Sequence, residues 1–245
     1  MEFTAASDIG LARNRNEDSF TLLPLPHGAL LAVADGVGGS PSGEVASAIA
    51  TRTFTELLLP HQEERPTSLS VRAALQAAHE RIVDARLERG HNGMGTTMTG
   101  AWLQGSLLAF AHAGDSRLYL YRGSELALIT RDHSVAEELV RQGSIPPEDA
   151  QRHPHRHVLT KALGMSPFDC DEGVLDLAPG DVVLLCTDGL VAALTEAEVA
   201  HELARGFTGV AMRLVEAANR AGGPDNTTIV AARIDAADIG RGESR

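Results

Sequence analysis

Aspartates stand where apolar runs break. Leu30-Leu31-Ala32-Val33-Ala34 runs into Asp35-Gly36, Ala109-Phe110-Ala111-His112-Ala113-Gly114 into Asp115-Ser116, and Val182-Val183-Leu184-Leu185-Cys186-Thr187 into Asp188-Gly189. Gly222-Gly223-Pro224 brings the chain to Asp225-Asn226 ahead of a further apolar run, and the acidic pair Glu17-Asp18 enters another. One Asp-Gly is an ordinary turn dipeptide. Repeated at the ends of several strands, the pattern can gather carboxylates on one edge of packed sheets. Gathered carboxylates repel one another and resist ionising unless cations neutralise them. Hard divalent ions with oxygen ligands, Mg²⁺ or Mn²⁺, suit such a set. Glycine beside aspartate also lets a backbone carbonyl approach an ion without a Cβ in the way. The chemistry predicted is that of a carboxylate-rich metal site.

Apolar runs and turn residues predict the elements that must position these groups. Strands are expected at Phe3–Ser7, Ser19–Leu23, Ala29–Ala34, Thr96–Leu103, Leu107–Ala113 and Ser116–Tyr121. Further strands are expected at Leu126–Thr130, Gly173–Leu177, Asp181–Cys186 and Thr227–Ile234. Helices are expected at Gly43–Leu59, with Ser42 as cap, and at Leu69–Arg89, Glu196–Arg205 and Gly209–Arg220. Short links such as Tyr121-Arg122-Gly123-Ser124 join consecutive strands, which implies antiparallel hairpins rather than crossovers. The fold class is therefore α+β: two central antiparallel sheets with pairs of helices outside them, burying both sets of apolar faces.

The chain's 245 residues fit one domain, and 43% hydrophobic with 22% charged residues is globular composition. Its net charge of −12, with no Lys/Arg run to offset it, disfavours nucleic acid and anionic membrane surfaces as partners. Cys170 and Cys186 lack zinc or CxxC spacing. Cys186 reads as a small buried hydrophobe in a reduced compartment. The N-terminus lacks the basic and apolar regions of a secretory signal, and no apolar run reaches the roughly 20 residues of a membrane span. A cytoplasmic location and a monomer are expected.

Six stretches in order carry a family resemblance. They are Ser7-Asp8-Ile9-Gly10-Leu11-Ala12-Arg13-Asn14-Arg15-Asn16-Glu17-Asp18, Ala34-Asp35-Gly36-Val37-Gly38-Gly39 with Gly43-Glu44-Val45-Ala46, and Gly95-Thr96-Thr97. Gly114-Asp115-Ser116-Arg117, Thr187-Asp188-Gly189-Leu190 and Asp225-Asn226-Thr227-Thr228 complete the set. Together, from about Phe3 to Ile234, they resemble the bacterial metal-dependent Ser/Thr phosphatases of the PP2C type. Each motif alone is weak. In register they are specific.

The resemblance implies an αββα sandwich with a binuclear Mn²⁺/Mg²⁺ centre at one edge of the sheets, and a weaker third ion. Asp35 would bridge the two ions, with the Gly36 carbonyl on one and Asp188 and Asp225 on the other. Glu17 and Asp18 would hold waters on the ions, and Asp115 with Asp188 would support the third. Arg13 would grip the substrate phosphate, and Asn226 would support the residues around the site. The implied reaction is hydrolysis of phosphoserine and phosphothreonine by water, opposing Ser/Thr kinases, with phosphorylated proteins and a cognate kinase as partners. Where many eukaryotic relatives carry a histidine proposed as general acid, this chain has Val37. The leaving-group proton must then come from elsewhere.

Two other readings stand beside this one: a two-metal phosphohydrolase of small esters, and a silent binding module that keeps the fold. The second would be expected to lack a metal carboxylate, yet Asp35, Asp188 and Asp225 are present. The phosphatase domain is expected over residues 1–235, with a flexible tail at 236–245. Residues 134–166 read as one long irregular flap beside the site. Its Arg152 and Arg156 supply scarce positive charge that can attract phosphorylated protein. His153, His155 and His157 read as a solvated or substrate-facing loop without a metal role, because Pro154 breaks the extended spacing and the arginines repel cations. His112, inside an expected strand, reads as a hydrogen-bonded core residue.

Overall fold

The computed structural model describes residues 1–37, 42–89, 93–150 and 152–239. Gly38 and Gly39 of the second motif, and residues 240–245 of the expected tail, lie outside the described residues. The chain opens with β1 (Glu2–Asp8), β2 (Asp18–Leu25) and β3 (Gly28–Val37), followed by α1 (Ser42–Leu58) and α2 (Ser68–Arg89). Next come β4 (Gly95–Thr96), β5 (Met98–Gln104), β6 (Leu107–Ala113), β7 (Arg117–Arg122) and β8 (Glu125–Leu128). The flap contains α3 (Val135–Arg141) and α4 (Pro147–Ala150) and leads to β9 (Asp171–Asp176) and β10 (Val182–Cys186). The chain closes with α5 (Asp188–Ala193), α6 (Glu196–Ala204), α7 (Val210–Arg220), β11 (Thr227–Arg233) and α8 (Ala236–Ile239).

One sheet has the order β1-β11-β10-β7-β8, the other β2-β3-β5-β6-β9 with β4 added to β3. Every described strand pair is antiparallel, as the short links require. The β7–β8 hairpin turns through Gly123 and Ser124, both at positive φ (56° and 75°), the geometry that matches strand twist in a two-residue loop.

Alternation along the strands builds three layers of core. Ala29, Leu31 and Val33 of β3 point between the sheets, where they meet Val183 and Leu185 of β10 and Val230 of β11. Leu30, Ala32 and Ala34 point outward to Phe54 of α1 and Leu75 and Ile82 of α2. On the other side Leu184, Cys186, Ile229 and Ala231 meet Leu190, Val199 and Leu214 of α5, α6 and α7. A strand buried on both faces reads as an unbroken apolar run, and β3 and β10 do. Each fully buried Leu or Val contributes roughly 1.5–3 kcal/mol of transfer free energy.

Several boundaries differ from expectation. Asp35-Gly36 is not a turn: β3 continues to Val37, and Gly36 and Val37 pair with Thr96 and Gly95. The expected strand Thr96–Leu103 divides into β4 and β5 at Thr97, whose N–H donates to the Asp35 carbonyl and whose hydroxyl accepts from the Asp35 N–H (2.8 and 2.9 Å). Ser42 lies within α1 rather than capping it. The flap is not one irregular stretch either. Ser134 caps α3 by accepting from the Glu137 N–H at 3.2 Å, a Ser-x-x-Glu signature that the segment's Pro and His content obscured. At the end of the described chain the Met1 ammonium sits 2.6 Å from Asp238 of α8.

Candidate metal centre

The layer between the sheets is apolar along most of its length and turns acidic at one mouth. Asp18 and Asp35 are direct partners across the β2–β3 ladder, so their side chains share a face. Asp35 follows the parity of Leu31 and Val33, which places it on the inner face just beyond the core. From the other sheet, the Thr187 N–H donates to the Thr228 carbonyl at 3.0 Å and the Thr228 N–H to Thr187 Oγ1 at 2.9 Å. The Thr187 hydroxyl then donates across to Asp18 Oδ2 at 2.8 Å. Asp188 follows Thr187 directly as the first residue of α5, and Asp225 lies two residues before the start of β11.

The convergence of these groups has an electrostatic consequence. Burial, opposed by hydrogen bonds from Thr228 and Thr187 and reinforced by Asp188 and Asp225, pushes the Asp18 carboxyl up to about 7. Burial and then the charge of Asp188 hold Asp35 and Asp115 well above the ordinary carboxylate range. Among the described residues, Asp18 Oδ1 and Asp188 Oδ1 are buried without a hydrogen-bond partner. Buried acceptors and like charges of this kind are costly unless a cation satisfies them. All the candidate donors are oxygens of the type Mg²⁺ and Mn²⁺ select. A Cβ on Gly43 would lie 2.8 Å from the Gly36 carbonyl oxygen and 2.9 Å from Glu17 Oε2, so glycine there keeps both oxygens uncovered. The residues present fit a centre of divalent cations.

The remaining expected residues surround these carboxylates. Arg13 donates through Nη2 to Asp225 Oδ2 at 2.6 Å, and that bond raises its pKa further. Asn226 accepts from the Glu17 N–H (2.8 Å) and donates to the carbonyls of Ile9 and Arg15 (2.9 and 2.8 Å), tying the Arg13 loop to the site. Beside Asp115 and Asp188 lies a cavity of about 310 Å³, walled by the flap and α5. Arg156 lines it; Arg152 does not. His112 is fully buried, with Nδ1 2.8 Å from the Thr99 hydroxyl and Nε2 3.1 Å from the Arg131 carbonyl, a core residue as expected.

Sequence reasoning gave no site role to four residues that stand there, Thr187, Thr228, Arg117 and His157. Thr187 and Thr228 could have been found by parity, as polar residues in the inward register of apolar strands. Arg117, locked to Asp132 by two 2.8 Å bonds in the cavity wall, gave no spacing signal because the partners lie 15 residues apart. His157, read as part of a solvated or substrate-facing loop without a metal role, stands with Nδ1 3.7 Å from Asp188 Oδ2. His153 and His155 instead face each other, with ring centroids 5.5 Å apart.

The family model for protein phosphatase 2C matches residues 12–221. The chain belongs to the protein phosphatase 2C family. Among family members, the serine/threonine protein phosphatase PstP of Mycobacterium tuberculosis is 36% identical over 246 residues, covering 98% of this chain and 46% of PstP. The chain thus spans about half the length of that relative. The serine/threonine phosphatase stp of Listeria monocytogenes is 36% identical over 248 residues, covering 97% of this chain and 98% of that protein. The crystal structure of the catalytic domain of PstP in complex with two manganese ions superposes with a TM-score of 0.83 at 36% identity, over 96% of this chain and 98% of that one. The αββα sandwich is therefore the family's fold carried by this sequence.

Proposed function

We propose that this chain is a metal-dependent protein serine/threonine phosphatase that hydrolyses phosphoserine and phosphothreonine and opposes Ser/Thr kinases. The observation that carries the reading is the pair of buried, unpartnered oxygens, Asp18 Oδ1 and Asp188 Oδ1, among carboxylates delivered by both sheets. Support comes also from the relatives named as serine/threonine phosphatases and from the two manganese ions in PstP.

In this reading Asp35, the Gly36 carbonyl, Asp188 and Asp225 hold two ions, Glu17 and Asp18 hold their waters, and Asp115 with Asp188 holds a weaker third. When bound, such a pair of divalent cations neutralises phosphoryl charge and makes an attacking water usable near neutral pH. Arg13 binds the phosphate. Its side chain is half-exposed, one nitrogen is engaged by Asp225, and the planar guanidinium has further donors for phosphoryl oxygens. Asn226 orients that arginine by fixing the carbonyls on either side of its loop. Asp225 holds the guanidinium aimed at the site.

The phosphatase domain occupies residues 1–235, with the flap at 134–166, and the expected flexible tail at 236–245 begins instead with α8, tied to the Met1 ammonium through Asp238. Arg156 lies where a phosphoprotein would pass the cavity, and Arg152 adds charge farther out. Phosphorylated proteins and a cognate kinase are the partners, and the enzyme works as a cytoplasmic monomer. No described helix is long and apolar enough to cross a membrane. Hydrolysis of a phosphothreonine peptide with Mn²⁺, abolished by EDTA and faster than hydrolysis of a nucleotide monoester, is the expected result. A preference for the nucleotide, or turnover that EDTA leaves unchanged, would replace this reading with that of a small-ester hydrolase.

A further inference from the structure

Asp115, His157 and Asp188 each offer a ligand atom, and these atoms lie within 4.8 Å of one another. The three residues come from three different parts of the fold: the β6–β7 turn, the return limb of the flap and the start of α5. Asp115 is 8% exposed, and Asp188 keeps a buried oxygen with no partner among the described residues. Such oxygens need a cation or a donor.

The backbone holds His157 in place beside them. The Val135 N–H donates to the Val158 carbonyl at 2.8 Å, and Ser134 forms a β-bridge with Leu159, so the residues following His157 are pinned to the base of the flap. The Thr160 N–H donates to the His133 carbonyl at 2.8 Å, the His133 N–H to the Gly114 carbonyl at 2.7 Å, and the Gly114 N–H to His133 Nδ1 at 3.2 Å. Asp115 and His157 therefore hang on one continuous hydrogen-bonded frame. An exposed His–Asp contact needs no such frame and contributes little by itself. Arg156 lines the same cavity and opposes a cation there, but Asp115, Asp188, Asp132 and Glu137 line it too, and only Asp132 is tied to a buried arginine.

We propose that His157 supplies an imidazole nitrogen to a divalent ion held by Asp115 and Asp188, so that the flap itself carries one ligand of the metal centre. The inference rests on the phosphatase reading above and deepens it. A nitrogen ligand shifts the preference of this position away from Mg²⁺ and toward Mn²⁺ and the later first-row ions. It also makes the flap's position depend on which ion is bound. Asp35, the Gly36 carbonyl, Asp188 and Asp225 would offer their ions only oxygen, so nitrogen coordination would mark this position alone.

The test is calorimetric titration of the whole chain with Mn²⁺ and with Mg²⁺, for the wild type, His157→Ala and Asp115→Ala, with Mn²⁺ pulsed EPR in parallel. Wild type should show a tight phase and a weaker phase, and ¹⁴N modulation from Mn²⁺ as the weaker phase fills. In His157→Ala the tight phase should persist, the weaker Mn²⁺ phase should lose at least about tenfold in affinity with little change for Mg²⁺, and the ¹⁴N modulation should vanish. Asp115→Ala should remove the weaker phase for both ions. An unchanged urea midpoint in EDTA shows that the half-exposed His157 was not holding the fold. A weaker phase unaffected by His157→Ala, or no ¹⁴N modulation in wild type, overturns the assignment while leaving the phosphatase reading intact. Loss of the tight phase from wild type itself overturns that reading and this inference with it.

Discussion

Asp35 and Asp188 illustrate how one residue can be costly for the fold and indispensable for its chemistry. Burial and its neighbours resist charge on Asp35, Asp188 keeps a buried oxygen without a partner among the described residues, and the proposed reading puts Asp35 on both ions and Asp188 on one of them. Asp35→Ala or Asp188→Ala should remove the tight Mn²⁺ phase and cut turnover on a phosphothreonine peptide below about a tenth of wild type, since metal catalysis supplies several kcal/mol. Retained turnover above that level would show that the ligands lie elsewhere. In the proposed reading Arg13 touches substrate rather than ions. Arg13→Ala should lower kcat/KM by about 10–100-fold with unchanged Mn²⁺ isotherms, the loss of one charge-assisted contact. Lost Mn²⁺ affinity in that variant would mean that its 2.6 Å bond to Asp225 is what organises the centre.

The elements that deliver these residues carry devices of their own. In β6, His112 is fully buried; desolvation first, and then the adjacent His133, lower its pKa to about 3 from 6.5. The unfolded chain takes up a proton below about 6.5 that the folded chain refuses until about 3. Stability from this residue is therefore full above that range and is lost as pH falls through it, at up to about 1.4 kcal/mol per pH unit. His112→Gln should lose less of its urea midpoint between pH 7 and pH 5 than wild type does; equal losses would assign the acid sensitivity to other groups. In the flap, Arg156 lines the cavity and Arg152 stands outside it. Neutralising both should lower kcat/KM for a phosphoprotein and leave hydrolysis of p-nitrophenyl phosphate nearly unchanged, with Arg156→Gln giving most of the effect. Equal losses on both substrates would trace the effect to the metal centre.

Across the whole molecule, the centre joins the two sheets. Asp18 and Asp35 belong to one, while Asp188 and Asp225 flank strands of the other. A cation held between them would relieve like-charge repulsion, so the folded state would bind it and the unfolded chain would not. Mn²⁺ at about 100 times its dissociation constant should add about 2.7 kcal/mol, which for a domain of this size raises Tm by about 5–10 °C. EDTA should reverse the shift, and Asp35→Asn should abolish it. A melting curve indifferent to Mn²⁺ would mean that the ions do not link the sheets.

Local sequence determined much of this protein. Unbroken apolar runs marked the doubly buried β3 and β10, short links forced antiparallel pairing, and the six motifs located the carboxylates and the family before any distance was known. What local patterning cannot encode is which ends meet. That Asp18 lies opposite Asp35 follows from the β2–β3 register, and that Thr187 reaches Asp18 across 169 positions of chain follows from packing one sheet on the other. The continuation of β3 through Asp35-Gly36 was hidden for the same reason: its partner, the two-residue β4, appears only once the chain returns after α2. His157 is the clearest case. Its neighbours Pro154 and Arg156 argued for a solvated or substrate-facing loop, and the β-bridge between Ser134 and Leu159 pins the segment that brings its ring to Asp188. Periodicity and turn chemistry act over a few residues and are written in the sequence, whereas the convergence of charges from distant segments is decided by tertiary packing.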